Sequence, residues 1–75
     1  MNKEKFIEIL QEILEKEENT VRMEDPFRQY EEWDSLAVLA IVAIIDEHYN
    51  ITIPRTEFEK LITVNDLFNY VQNKI

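Results

Sequence analysis

Asp34-Ser35-Leu36-Ala37-Val38-Leu39-Ala40-Ile41-Val42-Ala43-Ile44-Ile45 decides how this chain folds, because an acid and a serine stand directly before ten consecutive apolar residues, Leu36 to Ile45. Crossing a bilayer takes roughly 20 apolar residues, so the run reads as a core helix. Asp and Ser are favoured at helix starts, where their side-chain oxygens accept N–H groups that the first turn leaves unpaired. The same helix start, with the positive end of the helix dipole, favours a negatively charged oxygen, and a phosphate ester on Ser35 would be well placed there. The helix is expected from about Ser35 to Tyr49, with Asn50 as its left-handed terminal residue in a chain that has no glycine. At about 100° per residue, Val38, Ile41, Val42, Ile45 and Tyr49 gather on a core face, and Leu36, Ala40, Ala43 and Glu47 project opposite. That outer strip is small and apolar where a solvated helix is normally charged. Scattered exposed Ala and Leu are ordinary, since Ala is the best helix former. The sharper alternative is a docking strip beside Ser35, where small side chains let another surface come close.

Outward from this helix the apolar period stays helical. Phe6, Ile9, Leu10, Ile13 and Leu14 recur at spacings of three and four and predict a first amphipathic helix over about residues 3 to 16. Pro54 ends the extended Ile51-Thr52-Ile53 and opens a short third helical piece carrying Phe58, Leu61 and Ile62. Thr63 followed by Asp66 is a variant of the capping box, after which Val64, Leu67, Phe68, Val71 and Ile75 mark the last helix. Between the first two helices, Glu17 to Trp33 has little period but carries Val21, Met23, Phe27, Tyr30 and Trp33. A connection that long and that aromatic is expected to strap over the bundle. The fold class is therefore all-α: a small bundle of three main helices plus one short helix, in a single domain over residues 1–75.

Composition narrows the function. The chain has 75 residues, 45% of them hydrophobic, which is near the lower size limit for a core without staples. It has no Cys, which removes disulfides, thiolate nucleophiles and cysteine metal sites and is compatible with the cytoplasm. Without Gly there is no P-loop and no Rossmann phosphate turn. A formal net charge of −8 argues against nucleic acid and against an anionic membrane surface, and favours a partner with a basic docking face. No signal peptide is visible at Met1-Asn2-Lys3-Glu4-Lys5. His48, the single histidine, lies thirteen residues from Ser35 on the same helix, on the order of 20 Å away. The two cannot form a nucleophile–base pair. Asp46 and Glu47 are adjacent and point differently, so they do not make a metal site. Catalysis by this chain alone is not expected.

Taken alone, Asp34-Ser35 reads as a plain helix cap. Asp34-Ser35-Leu36, the apolar helix, Asp46-Glu47-His48-Tyr49, Ile51-Thr52-Ile53-Pro54 and then Glu59-Lys60-Leu61-Ile62-Thr63-Val64-Asn65-Asp66-Leu67 together closely resemble the acyl carrier protein family. The likeness runs without an evident gap from the loop through the last helix, and the first helix and total length fit it. The resemblance implies that Ser35 is modified with 4'-phosphopantetheine from coenzyme A by a phosphopantetheinyl transferase. It implies that Asp34 supports the site by helping that enzyme hold a divalent metal, and that Leu36 is an apolar contact for partner enzymes. The cargo would ride as a thioester on the arm's thiol, which makes the absence of Cys intelligible: the protein supplies position and the cofactor the reactive group. Other partners implied are an acyl- or aminoacyl-loading ligase or transferase and downstream acyl-using enzymes. Such a carrier visits several partners and is expected to be a cytoplasmic monomer.

Departures from the family pattern bear on which carrier this is. Gly usually stands two positions before the Asp, where this chain has Glu32 and then Trp33, which suggests a bulkier approach to the site. Fatty-acid carriers show acids near the start of the second helix, where Ala37 and Ala40 stand here, so close pairing with basic partners would be weaker and a specialised pathway is favoured. If Phe27, Ile41, Ile45, Ile53, Phe58, Ile62 and Phe68 surround the bundle centre, Phe58 and Phe68 fill space that a long acyl chain would need, and a short or aminoacyl cargo is expected. The competing reading is a small helical interaction module that is never modified and uses Leu36, Ala40 and Ala43 as a plain binding surface.

Overall fold

The computed structural model describes residues 2–75. They form four α-helices, α1 (Lys3–Ile13), α2 (Ser35–Tyr49), α3 (Arg55–Phe58) and α4 (Val64–Lys74), with one 3₁₀ turn at Phe27–Gln29 between α1 and α2. This is the expected all-α bundle of three main helices and one short one. Helix α1 starts where Asn2 Oδ1 accepts from the backbone N–H groups of Glu4 and Lys5 at 2.8 and 3.2 Å. It stops three residues short of the expected end. Glu15 turns left-handed at φ 56°, and Lys16 N donates to Gln11 O at 2.9 Å while Glu15 N donates to Glu12 O at 3.2 Å. That is a Schellman ending in which glutamate occupies the place glycine normally takes. Asn50 closes α2 as expected, at φ 59° and ψ 37°.

The core gathers side chains from every element. Phe6 and Leu10 of α1, Ile41 and Ile45 of α2, Phe58 of α3 and Leu67 and Val71 of α4 are fully buried, joined by Val21 and Phe27 from the long connection. Phe6 meets Phe68 edge-on at 5.4 Å, and Phe27 meets Phe58 at 5.6 Å. Each such pair adds about 0.5–1.5 kcal/mol beyond area burial. Three expectations need correction. Leu61 and Ile62 lie past the end of α3, and Ile62 is 61% exposed rather than central, because its backbone is drawn into the start of α4, where its N–H donates to Asp66 Oδ2. Ile75 lies beyond α4 and is exposed. Val38, Val42 and Tyr49 are half-buried at the margin of the core, whose centre on α2 runs through Ala37, Ile41 and Ile45.

The residues from Glu17 to Trp33 do strap over the bundle, and backbone hydrogen bonds fasten them. The first turn of α4 has unpaired N–H groups, as every helix start does. Asp25 O accepts from Val64 N at 2.9 Å and Met23 O from Asn65 N at 2.7 Å. Thr63 Oγ1 accepts from Asp66 N, and Asp66 Oδ2 accepts in return from Thr63 N and Ile62 N, each at 3.1 Å, which completes the capping box. Arg28 covers the other end of the strap's contact: its guanidinium donates to Phe58 O at 2.7 Å and to Leu61 O, and lies over the rings of Phe27 and Phe58. The last carbonyl of α3 and one just beyond it thereby find a charged donor from the strap.

Candidate functional site

Asp34 is extended, at φ −145° and ψ −177°, and its Oδ1 accepts from Leu36 N at 2.9 Å and Ala37 N at 3.0 Å. It is the N-cap, which makes Ser35 the first helical residue, exposed to solvent. The expectation of free N–H groups beside Ser35 is corrected here. Asp34 already engages two of them, so a phosphate ester on Ser35 would meet the helix dipole but not those donors. The hydroxyl itself is open to solvent at the protein surface, next to a carboxylate.

Ordinary backbone geometry brings the chain to this point. Glu32 has no positive φ, so the position needs no glycine. Its carboxylate pairs with Lys16 Nζ at 3.0 Å, and accepting that hydrogen bond holds the Glu32 carboxyl below its usual range. The same ammonium lies 4.3 Å from the centre of the Tyr30 ring. Tyr30 in turn donates to Asp25 Oδ2 at 2.7 Å. Burial, then the bond to the Asp25 carboxylate, push the Tyr30 hydroxyl well above its usual range. Trp33 turns inward and stacks on Phe58 at 6.5 Å with an interplanar angle of 12°. The bulk anticipated at Glu32-Trp33 therefore packs against the protein and leaves Ser35 open.

Along α2 beyond Ser35 the exposed side chains are mostly apolar. Leu36 is 70% exposed, Ala43 and Glu47 are also exposed, and Ala40 is half-buried. Ala37 is buried against the core, so of the two alanines only Ala40 stands near the surface that a partner could touch. Leu39, 65% exposed, was not in the expected strip. It lies three residues after Leu36 and shares its face, but a run apolar on every side carries no period from which the exposed positions can be read. A shallow groove of about 240 Å³ adjoins the serine, lined by Ile13, Leu14, Glu15, Glu32, Asp34, Leu36, Ala37 and Ala40. His48 sits exposed in the last turn of the same helix, at its far end. Among the described residues no group of three His, Asp or Glu side chains could hold a metal ion, and no helix is long and apolar enough to cross a membrane.

The site is thus an exposed serine on the first turn of α2, beside the Asp34 carboxylate and exposed apolar side chains, with the one histidine at the far end of the helix. The family model described as phosphopantetheine attachment site matches residues 4–71. The acyl carrier protein of Campylobacter lari is 32% identical over 65 residues, covering 87% of this chain and 84% of that protein. That of Kocuria rhizophila is 33% identical over 66 residues, covering 88% and 82%. The solution structure of a holo acyl carrier protein from Geobacter metallireducens superposes with a TM-score of 0.81 over 95% of this chain and 82% of that one, at 24% identity. This chain belongs to the acyl carrier protein family. It is a carrier, not an enzyme, and its prosthetic group is phosphopantetheine. The family implies dealings with a phosphopantetheinyl transferase and with acyl-using enzymes.

Proposed function

We propose that Ser35 bears the 4'-phosphopantetheine arm, that residues 1–75 act as one carrier domain, and that the cargo is short or aminoacyl and belongs to a specialised pathway in the cytoplasm. The observation that carries this reading is the exposed Ser35 hydroxyl on the first residue of α2, beside the Asp34 carboxylate. The arm supplies a thiol that holds cargo as a thioester; this chain supplies the anchoring oxygen, a fixed direction of exit and a recognition surface. Asp34 caps the helix with Oδ1 and supports the divalent metal of the transferase.

Leu36, Ala40, Ala43 and Glu47, with Leu39 added, form the proposed partner interface. No acid stands in the first turn of α2, so contact there rests on apolar burial and is less sensitive to salt than an ion-paired interface. The preference for a small cargo is supported by the packing. Phe58 and Phe68 are buried in the core and line none of the three surface grooves described, while Ile62 takes no part in filling the centre. An aminoacyl- or acyl-loading ligase or transferase is the partner this cargo needs, and a monomer suits a carrier that serves several enzymes.

Incubation of the apo-protein with a broad-specificity phosphopantetheinyl transferase, Mg²⁺ and coenzyme A, read by intact mass, tests the assignment. One phosphopantetheine adduct that is lost in Ser35→Ala supports it. No adduct with several transferases would favour the unmodified interaction module, and an adduct persisting in Ser35→Ala would place the attachment elsewhere.

A further inference from the structure

A groove more than twice the volume of the one beside Ser35 lies elsewhere on the protein. It lies between α1 and the strap, with a volume of about 560 Å³, and is lined by Glu4, Ile7, Glu8, Gln11, Glu18, Asn19, Val21, Arg22 and Glu24. Across the neighbouring groove Lys5, Glu8, Ile9, Glu12 and Ile13 stand opposite Ile44 and His48, so that Glu8 forms the rim shared by the two grooves. Glu4, Ile7 and Gln11 occupy a different side of the same helix, at spacings of three and four. The carrier surface on α2 is therefore free when this groove is filled.

Two independent features indicate what fills it. Four glutamates line the groove against one arginine, and among the described residues none of the four makes an ion pair; the ion pairs involve Glu32, Glu57 and Glu59. At the groove's wall stands Gln11, a polar side chain only 9% exposed. Its Oε1 accepts from Val21 N at 3.4 Å, and its carboxamide nitrogen donates to none of the described groups. Every fully buried side-chain polar atom described has a partner, so that nitrogen is not sealed from solvent, and Gln11 is one of the residues lining the groove. A nearly buried amide with unused donors on an apolar wall formed with Ile7 and Val21 is the arrangement that receives a backbone carbonyl or other acceptor.

We infer that this groove docks a basic, partly apolar segment of a partner protein, with lysine or arginine side chains against Glu4, Glu8, Glu18 and Glu24 and a carbonyl oxygen on the Gln11 amide. Glu4 to Gln11 spans about 10 Å of helix, which suits about two turns of a helical segment laid alongside. Charge complementarity selects the occupant: a metal ion lacks a cluster of ligands, and nucleic acid carries the wrong sign. The site would hold the carrier to a larger assembly while α2 continues to meet its enzymes. It does not depend on Ser35 being the attachment residue.

The test uses the full ¹⁵N-labelled chain titrated with a blocked amphipathic lysine–leucine peptide of about three turns, with a glutamine–leucine peptide as control. Expected are shifts at Ile7, Glu8, Gln11 and Val21, including the Gln11 side-chain amide, and none at Leu36, Leu39 or Ala43. Glu8→Gln with Glu18→Gln and Glu24→Gln should weaken binding at least about tenfold. Glu12→Gln with Glu31→Gln and Asp46→Asn removes equal charge elsewhere and should weaken it less than about threefold. Gln11→Glu keeps an acceptor for Val21 and adds negative charge, yet should weaken binding because the donor is gone. Equal losses in the two charge variants, tighter binding in Gln11→Glu, or shifts centred on α2 would each overturn the inference. Unchanged urea midpoints for every variant establish that folding is not the cause.

Discussion

Replacing Asp34 separates the capping role seen in the structure from the metal-supporting role proposed for the same carboxylate. In Asp34→Ala the N–H groups of Leu36 and Ala37, now held at 2.9 and 3.0 Å, are left to water. Losing such a cap costs about 1 kcal/mol, within a range of roughly 0.5–2. For a domain of this size the equivalent is a fall in Tm of roughly 4–8 °C. Asp34→Asn retains an acceptor at the same place and gives up charge attraction to the helix dipole, about 0.3–1 kcal/mol. The asparagine variant should therefore lie between the parent and the alanine variant in stability. Urea unfolding followed through Trp33, the one tryptophan, stacked on Phe58, measures this directly. Modification rate, read by intact mass at fixed Mg²⁺, measures the second role. If the carboxylate supports the transferase's metal, Asp34→Asn slows modification by at least about tenfold, equivalent to about 1.4 kcal/mol, although the helix start is intact. Modification of Asp34→Asn at the parental rate would refute the metal-supporting role and leave Asp34 as a cap. An asparagine variant no more stable than the alanine one would refute the cap reading of Oδ1.

Glu15→Gly should raise stability by about 0.5–1 kcal/mol, because a left-handed non-glycine residue costs about 1–2 kcal/mol and glycine's greater unfolded-state entropy offsets part of the gain; a lower urea midpoint would show that the glutamate side chain contributes there. Phe58→Ala should cost about 3–5 kcal/mol and leave a cavity beside Phe27 and Trp33. If the filled core is what excludes long cargo, a folded Phe58→Ala carrier loaded with a long acyl chain should show shifted core methyl signals that the parent lacks. The backbone bonds from Thr63 and Ile62 hold the Asp66 carboxyl below its usual range. Its contribution is thus present above the unfolded carboxyl's pKa of about 3.9 and is lost as pH falls through the lower folded value. An acid titration of Asp66→Asn should lack that component of the loss. Tyr30 acts in the opposite direction, since its raised folded pKa contributes stability below about pH 10 that declines as pH rises further; Tyr30→Phe should flatten the alkaline limb.

Helix existence was legible wherever polar residues interrupt apolar ones. Phe6, Ile9 and Leu10 of the first helix, and Val64, Leu67, Phe68 and Val71 of the last, are buried as their spacing requires. The caps at Asp34 and Thr63 were legible because Asp, Ser and Thr carry their function in the side chain. Boundaries near Glu15 and Leu61 were not. A left-handed glutamate has no signature when glycine is missing, and α3 ends where Arg28, from the distant strap, supplies donors to its carbonyls. The exposure of Leu39 is not legible for a related reason: within ten apolar residues, the exposed side is chosen by what packs on the other side.

The sequence by itself determined an all-helical bundle, the start of α2 at Ser35 and the ordered set of residues that marks an acyl carrier, because these depend on local capping and short-range period. Only the tertiary structure decided which apolar residues face solvent, how Lys16 and Glu32 join across sixteen positions, and that Gln11 opens onto an acidic groove beneath the strap. Those outcomes depend on contacts between distant segments, where burial and charge pairing are set by the geometry of packing and not by neighbours along the chain.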